Sequence, residues 1–413
     1  MKITAALHFS VLLSLSPFMA WADDTAYADL PPAPLVRKAL EVHPDVVSAQ
    51  AGLAGAAGER ERLQAGPYEP TLHLGSQRRR DKLSNQTFGE QEIGLESGMR
   101  LPGKVALDDS LGELVMETAR QAHSQALRQT ARLLLKSWFD PLREHAAASE
   151  WRRQAELLSR QAAVVKKRVD VGDAALLDQR QAEAQRDQAL AQLAQAELRA
   201  ALATDELMRH FPGLSLPAAH VPAAPQALEG NIESWRERIL AHDHELQLAQ
   251  AASRQSRLLA RRADADRLPD PTLGLFTTRE RDGQERVLGL QLSIPLPGGA
   301  RSGSARVASS AAEAAAAHEN AVRARLETGL RALWRQAQSN YNQWQRLTAV
   351  AGAMETNADA LDRAWRLGEG QFSDLSQARR LAIEARLAAS QAQFDANEAR
   401  YRLLLDAGDL WSD

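Results

Sequence analysis

Between Val287 and Leu296 the chain alternates strictly: Leu288, Leu290, Leu292, Ile294 and Leu296 hold the even positions, while Gly289, Gln291 and Ser293 stand between them. A period of two marks a strand whose two faces meet different surroundings. An earlier segment repeats the pattern, with Ile93, Leu95, Met99 and Leu101 on one side and Glu92, Gly94, Glu96, Gly98 and Arg100 on the other. Turn chemistry makes each segment the second arm of a hairpin, closed by Asp282-Gly283 in one case and by the polar run Leu83 to Thr87 in the other. The predicted strands cover roughly 70–80, 91–101, 271–280 and 286–296. Two architectures suit one apolar face per strand: a sheet covered by helices, or a barrel wall between hydrocarbon and water. Four strands are too few to close a barrel, and an open four-stranded sheet leaves two edges that invite other chains. Several copies sharing one closed wall would remove those edges.

Helical periodicity takes over after each hairpin. The tracts at about 104–209 and 301–407 are rich in Ala, Gln, Arg, Glu and Leu, and Pro141 is the single proline in them. In the second tract Leu326, Leu333, Leu347, Met354 and Leu361 fall seven or fourteen apart, with Leu330, Ala337, Trp344, Ala351, Ala358 and Trp365 as a companion row. A sustained seven-residue repeat predicts supercoiling around neighbouring helices. Unbroken from Ala300 to Trp365, such a helix is on the order of 100 Å long. The fold class is therefore mainly α with a small β part.

The two tracts belong to a larger repeat. Leu40-Glu41-Val42-His43-Pro44 has its counterpart in Leu240-Ala241-His242-Asp243-His244, Pro70 to Leu74 in Pro271 to Leu275, and Leu101-Pro102-Gly103 in Leu296-Pro297-Gly298. Trp138 matches Trp334, and Val171-Gly172-Asp173 matches Leu367-Gly368-Glu369. Five landmarks in one order indicate two internal repeats, 23–210 and 229–413, joined by a proline-rich linker at 211–228. Each repeat reads as a helix, two strands and a long helical tract turned once at a glycine.

Composition narrows the function. The 413 residues include no Cys, which excludes a disulfide scaffold, thiolate metal sites and a cysteine nucleophile. A formal charge of −3 argues against a nucleic-acid binder. Mean hydropathy of −0.38 excludes a bundle of transmembrane helices. Lys2, the apolar run to Leu15 and Ala20-Trp21-Ala22 read as a cleaved signal peptide at 1–22, so the mature chain is expected to be exported. His242-Asp243-His244 resembles a ligand cluster, yet residues two apart do not share a helix face, and no metal site is assigned. No catalytic triad, phosphate loop or paired-carboxylate cleft stands out, so neither an enzyme nor a cofactor is expected.

The duplicated halves, the glycine turns, Pro-Asp-Pro-Thr-Leu-Gly-Leu at 269–275 and Leu-Ser-Ile-Pro-Leu-Pro-Gly-Gly-Ala-Arg at 292–301 resemble the TolC-like outer-membrane efflux protein family, most closely its heavy-metal and drug branch. The resemblance covers almost the whole mature chain. It implies a homotrimer whose four strands per chain form a transmembrane β-barrel in the outer membrane, continued by a long α-helical barrel across the periplasm. It further implies a passive channel for heavy-metal cations or drugs, working with a periplasmic adaptor and an inner-membrane pump of the resistance-nodulation-division type. The exit channel of a type I protein secretion system shares that fold, and a periplasmic coiled-coil adaptor shares the periodicity. Lacking a cysteine, the chain is expected to be held in the membrane without a lipid anchor. Adaptor docking is carried to Val171, Gly172, Arg366, Leu367 and Gly368, and a periplasmic gate to Asp178 and Asp374, with Arg379 and Arg380 as candidate partners of Asp374. By alternation Glu92, Glu96, Gln291 and Ser293 would face the lumen, and Ile93, Leu95, Leu288, Leu290, Leu292 and Ile294 the lipid.

Overall fold

The computed structural model describes residue 27, residues 29–217 and residues 222–411; the expected signal peptide lies outside the described residues. The elements are α1 (Ala33–Glu41), α2 (Pro44–Ala65), β1 (Thr71–Arg80), β2 (Thr87–Gly98), α3 (Pro102–Asp170), α4 (Leu176–His210), α5 (Ile232–His242), α6 (His244–Ala265), β3 (Thr272–Glu280), β4 (Glu285–Ser293), α7 (Gly299–Arg366) and α8 (Phe372–Ala407). Each hairpin is preceded by two helices where the periodicity suggests one. The break has a local cause in both places, because a polar side chain caps the second helix. The His43 ring accepts from the Asp45 amide at 3.3 Å, and the Asp243 carboxylate accepts from the Leu246 amide at 2.8 Å.

The strands form one antiparallel sheet in the order β1-β2-β3-β4. β2 starts four residues before its predicted position, because Thr87 to Glu90 pair with Gln77 to Arg80, and Asp282 from the opposite hairpin accepts the Gly89 amide at 2.7 Å. Ile294 falls just past the end of β4. Among the described residues, none of the α-helices packs over either face of the sheet.

Two helices, α3 and α7, run the length of the molecule at 69 and 68 residues. Shorter helices share their flanks: α2 and α4 lie along α3, while α6 and α8 lie along both α3 and α7. The seven-residue rows of α7 form this seam. Val322 and Leu326 meet Leu246 and Ala249 of α6, and Met354, Ala358 and Leu361 meet Ala378 and Ala382 of α8. The long helix thus packs on helices of its own chain. Away from the seam it is bare, with five buried residues against twenty-one on α3. That leaves α7 at one margin of the helical layer.

The main core sits mid-way along α3, where α1, α5 and the C-terminal ends of α4 and α8 converge on Val36, Leu134, Phe139, Trp235, Phe394 and Leu403. Asp29, 1% exposed, ties the chain's ends together here. Its carboxylate accepts from the Asn397 side chain at 3.0 Å and the Ala223 amide at 2.7 Å, and its carbonyl accepts from the Trp138 indole at 2.8 Å.

A second buried cluster holds the sheet onto the helices. Lys104, 2% exposed, reaches from the first turn of α3 to Asp266 and Asp270, both at 3.0 Å, and donates to the Leu268 carbonyl at 2.7 Å. Arg100 and Arg262 share Asp108 at 2.9 and 2.6 Å, and Tyr68 donates to Asp270 at 2.9 Å. Burial alone would raise the two aspartates, but the hydrogen bonds from Arg262 and Lys104 at Asp266, and from Lys104, the Leu101 amide and Tyr68 at Asp270, hold both below the ordinary carboxylate value. Depressed carboxylates add stability above the ordinary value, and that stability disappears as pH falls through the lower native one. Lys104→Met takes the shared cation from two carboxylates, leaving Asp266 to Arg262 and Asp270 to Tyr68 and the Leu101 amide, and is expected to destabilise the fold by about 3 kcal/mol. Asp270→Asn added to it should recover part of the loss, and the acid limb of a pH-dependent urea midpoint should flatten in the double variant.

Candidate functional site

The sheet separates its residues by register. Leu72 pairs with Leu95, Leu95 with Leu275 and Leu275 with Leu290, so one row of four leucines crosses all strands on a single face. The next row is Leu74, Ile93, Thr277 and Leu288, and the row on the other side contains Leu273 and Leu292. These side chains are bare: Leu288 is 74% exposed, Leu290 75% and Leu292 61%, and Ile93, Leu95 and Ile294 are likewise exposed. Five of the six residues expected on the apolar side therefore stand on that face uncovered, and Ile294, just past β4, is exposed as well.

Glu92, Glu96, Gln291 and Ser293 stand on the opposite face. Glu96 accepts from His73 at 2.8 Å, Arg79 pairs with Glu90 at 2.9 Å, and Gln77 donates to Glu90 at 2.9 Å. Of the two strand aromatics on this polar side, Phe88 stands opposite Arg79 and Phe276 lies between Gly94 and Gly289 of the neighbouring strands. A Cβ on Gly289 would fall 2.4 Å from its ring, so glycine there makes room for the ring to lie flat.

At the other end of the long helices two turns share one hydrogen-bond pattern. Gly172 and Gly368 take φ of +82° and +81°. The Gly172 amide bonds the Val169 carbonyl and the Asp173 amide the Arg168 carbonyl, while Gly368 and Glu369 bond Trp365 and Ala364 in the same way. This is the Schellman ending, which needs a left-handed residue just past the helix and therefore favours glycine. Val171 and Leu367 beside these glycines are 79% and 76% exposed. Arg366 points along its own helix to Asp362 at 2.8 Å. The five residues assigned to docking thus form two neighbouring, outward-facing tips.

The tips are joined through residues that the sequence pattern does not single out. Arg168 lies over the Trp365 ring at 4.8 Å, and pairs with Asp173 at 2.8 Å. Beneath it Ala162, Val165, Ala182, Trp365, Phe372 and Leu375 close a small apolar cluster between the two hairpins. Their separation of nearly 200 residues left no local signal, apart from Trp365 standing in a seven-residue row.

Asp178 and Asp374 occupy the first turns of α4 and α8, where a negative charge favours the helix N-terminus. Asp374 is exposed and has no ion-pair partner among the described residues. The expected partners are engaged elsewhere. Arg379 is buried against α7, facing Asp359 at 3.0 Å and Glu355 at 3.8 Å, and Arg380 pairs with Glu384 one turn on at 3.2 Å. On a helix, residues five and six past Asp374 point away from it, whereas the i,i+4 neighbour does not.

His242, Asp243 and His244 form the α5–α6 break rather than a converging set, with Asp243 acting as the cap. Burial and the nearby Arg128 hold the His244 ring below its usual value. No group of three or more potential ligands gathers anywhere among the described residues, and none of their helices is long and apolar enough to cross a membrane.

With an uncovered apolar sheet at one end of its long helices, the chain has the TolC-like fold. It is similar over 91% of its length to the outer-membrane protein VceC of Vibrio cholerae, with 15% identity, 95% of that chain covered and a TM-score of 0.75. Against the outer-membrane channel CmeC of Campylobacter jejuni the corresponding values are 99%, 13%, 94% and 0.77. CusC, which forms a transmembrane channel, gives 98%, 14%, 99% and 0.71. No family model and no curated protein matches the sequence.

Glycine is required at the tips by backbone conformation, since no atom lies within 4 Å of a Cβ built at either position. Gly172→Ala and Gly368→Ala are each expected to cost about 1 kcal/mol from left-handed strain. Amide hydrogen exchange should show faster exchange at Asp173 or Glu369 with the main core unchanged.

Proposed function

We propose that the protein is the outer-membrane channel of a tripartite efflux system, conducting substrates passively from a periplasmic adaptor and inner-membrane pump to the exterior. The single observation that carries this reading is the bare leucine face of a sheet no helix covers. In a trimer the sheet contributes four strands to a twelve-stranded barrel, its leucines against lipid and Glu92, Glu96, Gln291 and Ser293 toward water. The helices continue the conduit into the periplasm, with the exposed margin of α7 against the next subunit. The tips at Gly172 and Gly368 meet the adaptor, and Asp374, brought near its two symmetry mates, forms a negative constriction. Metal cations, drugs and secreted proteins are all compatible with such a pore. Signal cleavage and retention without a lipid anchor belong to the same proposal, which assigns the protein to the outer membrane.

The repeat supplies the pairing between subunits. Equivalent hairpin positions place Leu72 on Leu273 and Leu95 on Leu292. The pair Glu96 with Gly274 then becomes Ser293 of one chain with His73 of the next, and Leu95 with Leu275 becomes Leu292 with Leu74. The faces match: polar meets polar and apolar meets apolar, as parity demands.

Oxidative cross-linking of a chain carrying His73→Cys and Ser293→Cys is expected to give covalent trimers, while His73→Cys with Gln291→Cys should stay monomeric on denaturing gels. Equal linkage in both, or in neither, rejects the register. For the function, Gly368→Trp should abolish export of the pump's substrates in a deletion strain while trimer yield is unchanged; unaltered resistance would remove the docking role. Asp374→Ala should change single-channel conductance or cation block in planar bilayers, and identical traces would take Asp374 out of the pore.

A further inference from the structure

Charge is divided between the two faces of the sheet as sharply as hydrophobicity. Moving from the helix end toward the hairpin ends, the leucine rows give way on the same face to Arg279 and Arg286, which pair with each other across β3 and β4. Further up β1 stand Arg78, opposite Gly89, and Arg80, opposite Thr87. All four are exposed. Among the described residues no strand carboxylate shares this face, and the nearest acid is Asp282 of the β3–β4 turn, which accepts the Gly89 amide at 2.7 Å. The strand glutamates Glu90, Glu92, Glu96, Glu280 and Glu285 all fall on the polar side, where Arg79 is the only arginine within the described strands and pairs with Glu90. Arg80 donates to the Asn85 side chain at 2.6 Å and Arg286 to Thr277 at 3.5 Å, whereas Arg78 and Arg279 have no side-chain partner among the described residues. Four guanidinium groups are thus collected where the leucines end, against a single turn carboxylate, Asp282, that is already bound to the Gly89 amide.

Their height along the wall is informative. From Leu296, which is exposed, to Arg286 the chain rises ten residues, ~33 Å when extended. A strand tilt of ~40° reduces this to ~25 Å, the height of the apolar band of a membrane barrel. The Arg279–Arg286 row then lies at the far boundary of the hydrocarbon, and Arg78 and Arg80 lie beyond it, in the headgroup layer. An arginine facing lipid is costly at the midplane and nearly neutral at the boundary, so the four side chains also fix how far the sheet can sink. In that layer the fixed negative groups are phosphates, which a guanidinium fork binds through two parallel hydrogen bonds.

Resting on the barrel reading above, we propose that Arg78, Arg80, Arg279 and Arg286 form a belt around the hairpin end of the barrel that binds the phosphate groups of the surrounding lipid headgroups. Three subunits would carry it around the whole circumference. The belt locks the barrel at one depth and adds lipid to the contacts that hold the trimer.

The test uses the full-length protein in detergent, with lipid A and its dephosphorylated form as probes. Lipid A is expected to raise the trimer melting temperature by ~3 °C or more, and the dephosphorylated lipid and inorganic phosphate should leave it unchanged. A chain carrying Arg78→Gln, Arg279→Gln and Arg286→Gln should lose the shift, and Arg79→Gln, on the other face, should keep it. An equal shift with the dephosphorylated lipid, with inorganic phosphate or in the triple variant overturns the belt. Should that variant fail to assemble, the wild-type comparison of the two lipids decides alone. Flotation with phosphatidylcholine vesicles separates the two readings. Wild-type protein that does not float sinks the barrel itself, while protein that floats without any phosphate dependence sinks only the belt.

Discussion

Nine leucine and isoleucine side chains stand on one face of a sheet that no helix covers, and that face cannot be left in water. Burial of an aliphatic side chain is worth roughly 1.5–3 kcal/mol, so the nine together represent on the order of 15–25 kcal/mol per chain, more than the whole stability of an ordinary domain. Such a surface needs an apolar medium or an apolar partner. The opposite face, with its glutamates and the His73–Glu96 pair, needs water just as firmly. A wall between hydrocarbon and solvent satisfies both demands. It also explains why the chain has two unpaired sheet edges, β1 and β4, since a closed ring of copies turns every edge into an interior contact.

The parts legible in the sequence were those written in short periods. Alternation placed the leucines and glutamates on their faces because side-chain direction along a strand follows parity alone. Seven-residue spacing in the second tract marked the α7 seam, and the glycines of the tips were visible because left-handed backbone favours one residue. The misplaced pairs have an equally simple origin. Asp374 and Arg379 are close in number, but the helix turns Arg379 inward to Glu355 and Asp359. The Lys104–Asp270 contact spans 166 positions and the Arg168–Trp365 contact 197, and no periodicity reports a pairing between two repeats. The arginines of the apolar face were readable from the same alternation, because Arg78 and Arg80 share the parity of Leu72 and Leu74.

Duplication gives the fold its economy. Each half supplies one hairpin and one long helix, and neither half closes its own margins. Inside the chain the first half's β2 meets the second half's β3, and α3 meets α6 and α8. The same two surfaces recur unsatisfied at the outer margins, on β4 and α7 in one direction and on β1 and α2 in the other. In the proposed trimer a ring of copies would repeat between chains what the chain already does within itself, which is why a single register can be carried from one contact to the other.

The bonds between the two halves differ in kind along the molecule and are fewest at the tips. At the sheet junction they include Lys104, Asp108, Arg262 and Asp270, buried and hydrogen-bonded, so separating the halves there exposes several ionic groups to unfavourable partial solvation. Mid-way they share the large aromatic core around Phe139 and Phe394. At the tips the ties are a six-residue apolar cluster, the stacking of Arg168 on Trp365, and hydrogen bonds from Arg168 to the Trp365 carbonyl and from Gln181 and Gln185 to Ser376, with no ion pair among them. Rigid helices with strong ties at one end and weak ties at the other move most where the ties are weakest. In the proposed channel, opening by helix displacement at the tips, with the sheet undisturbed, is the motion that this contrast makes cheapest.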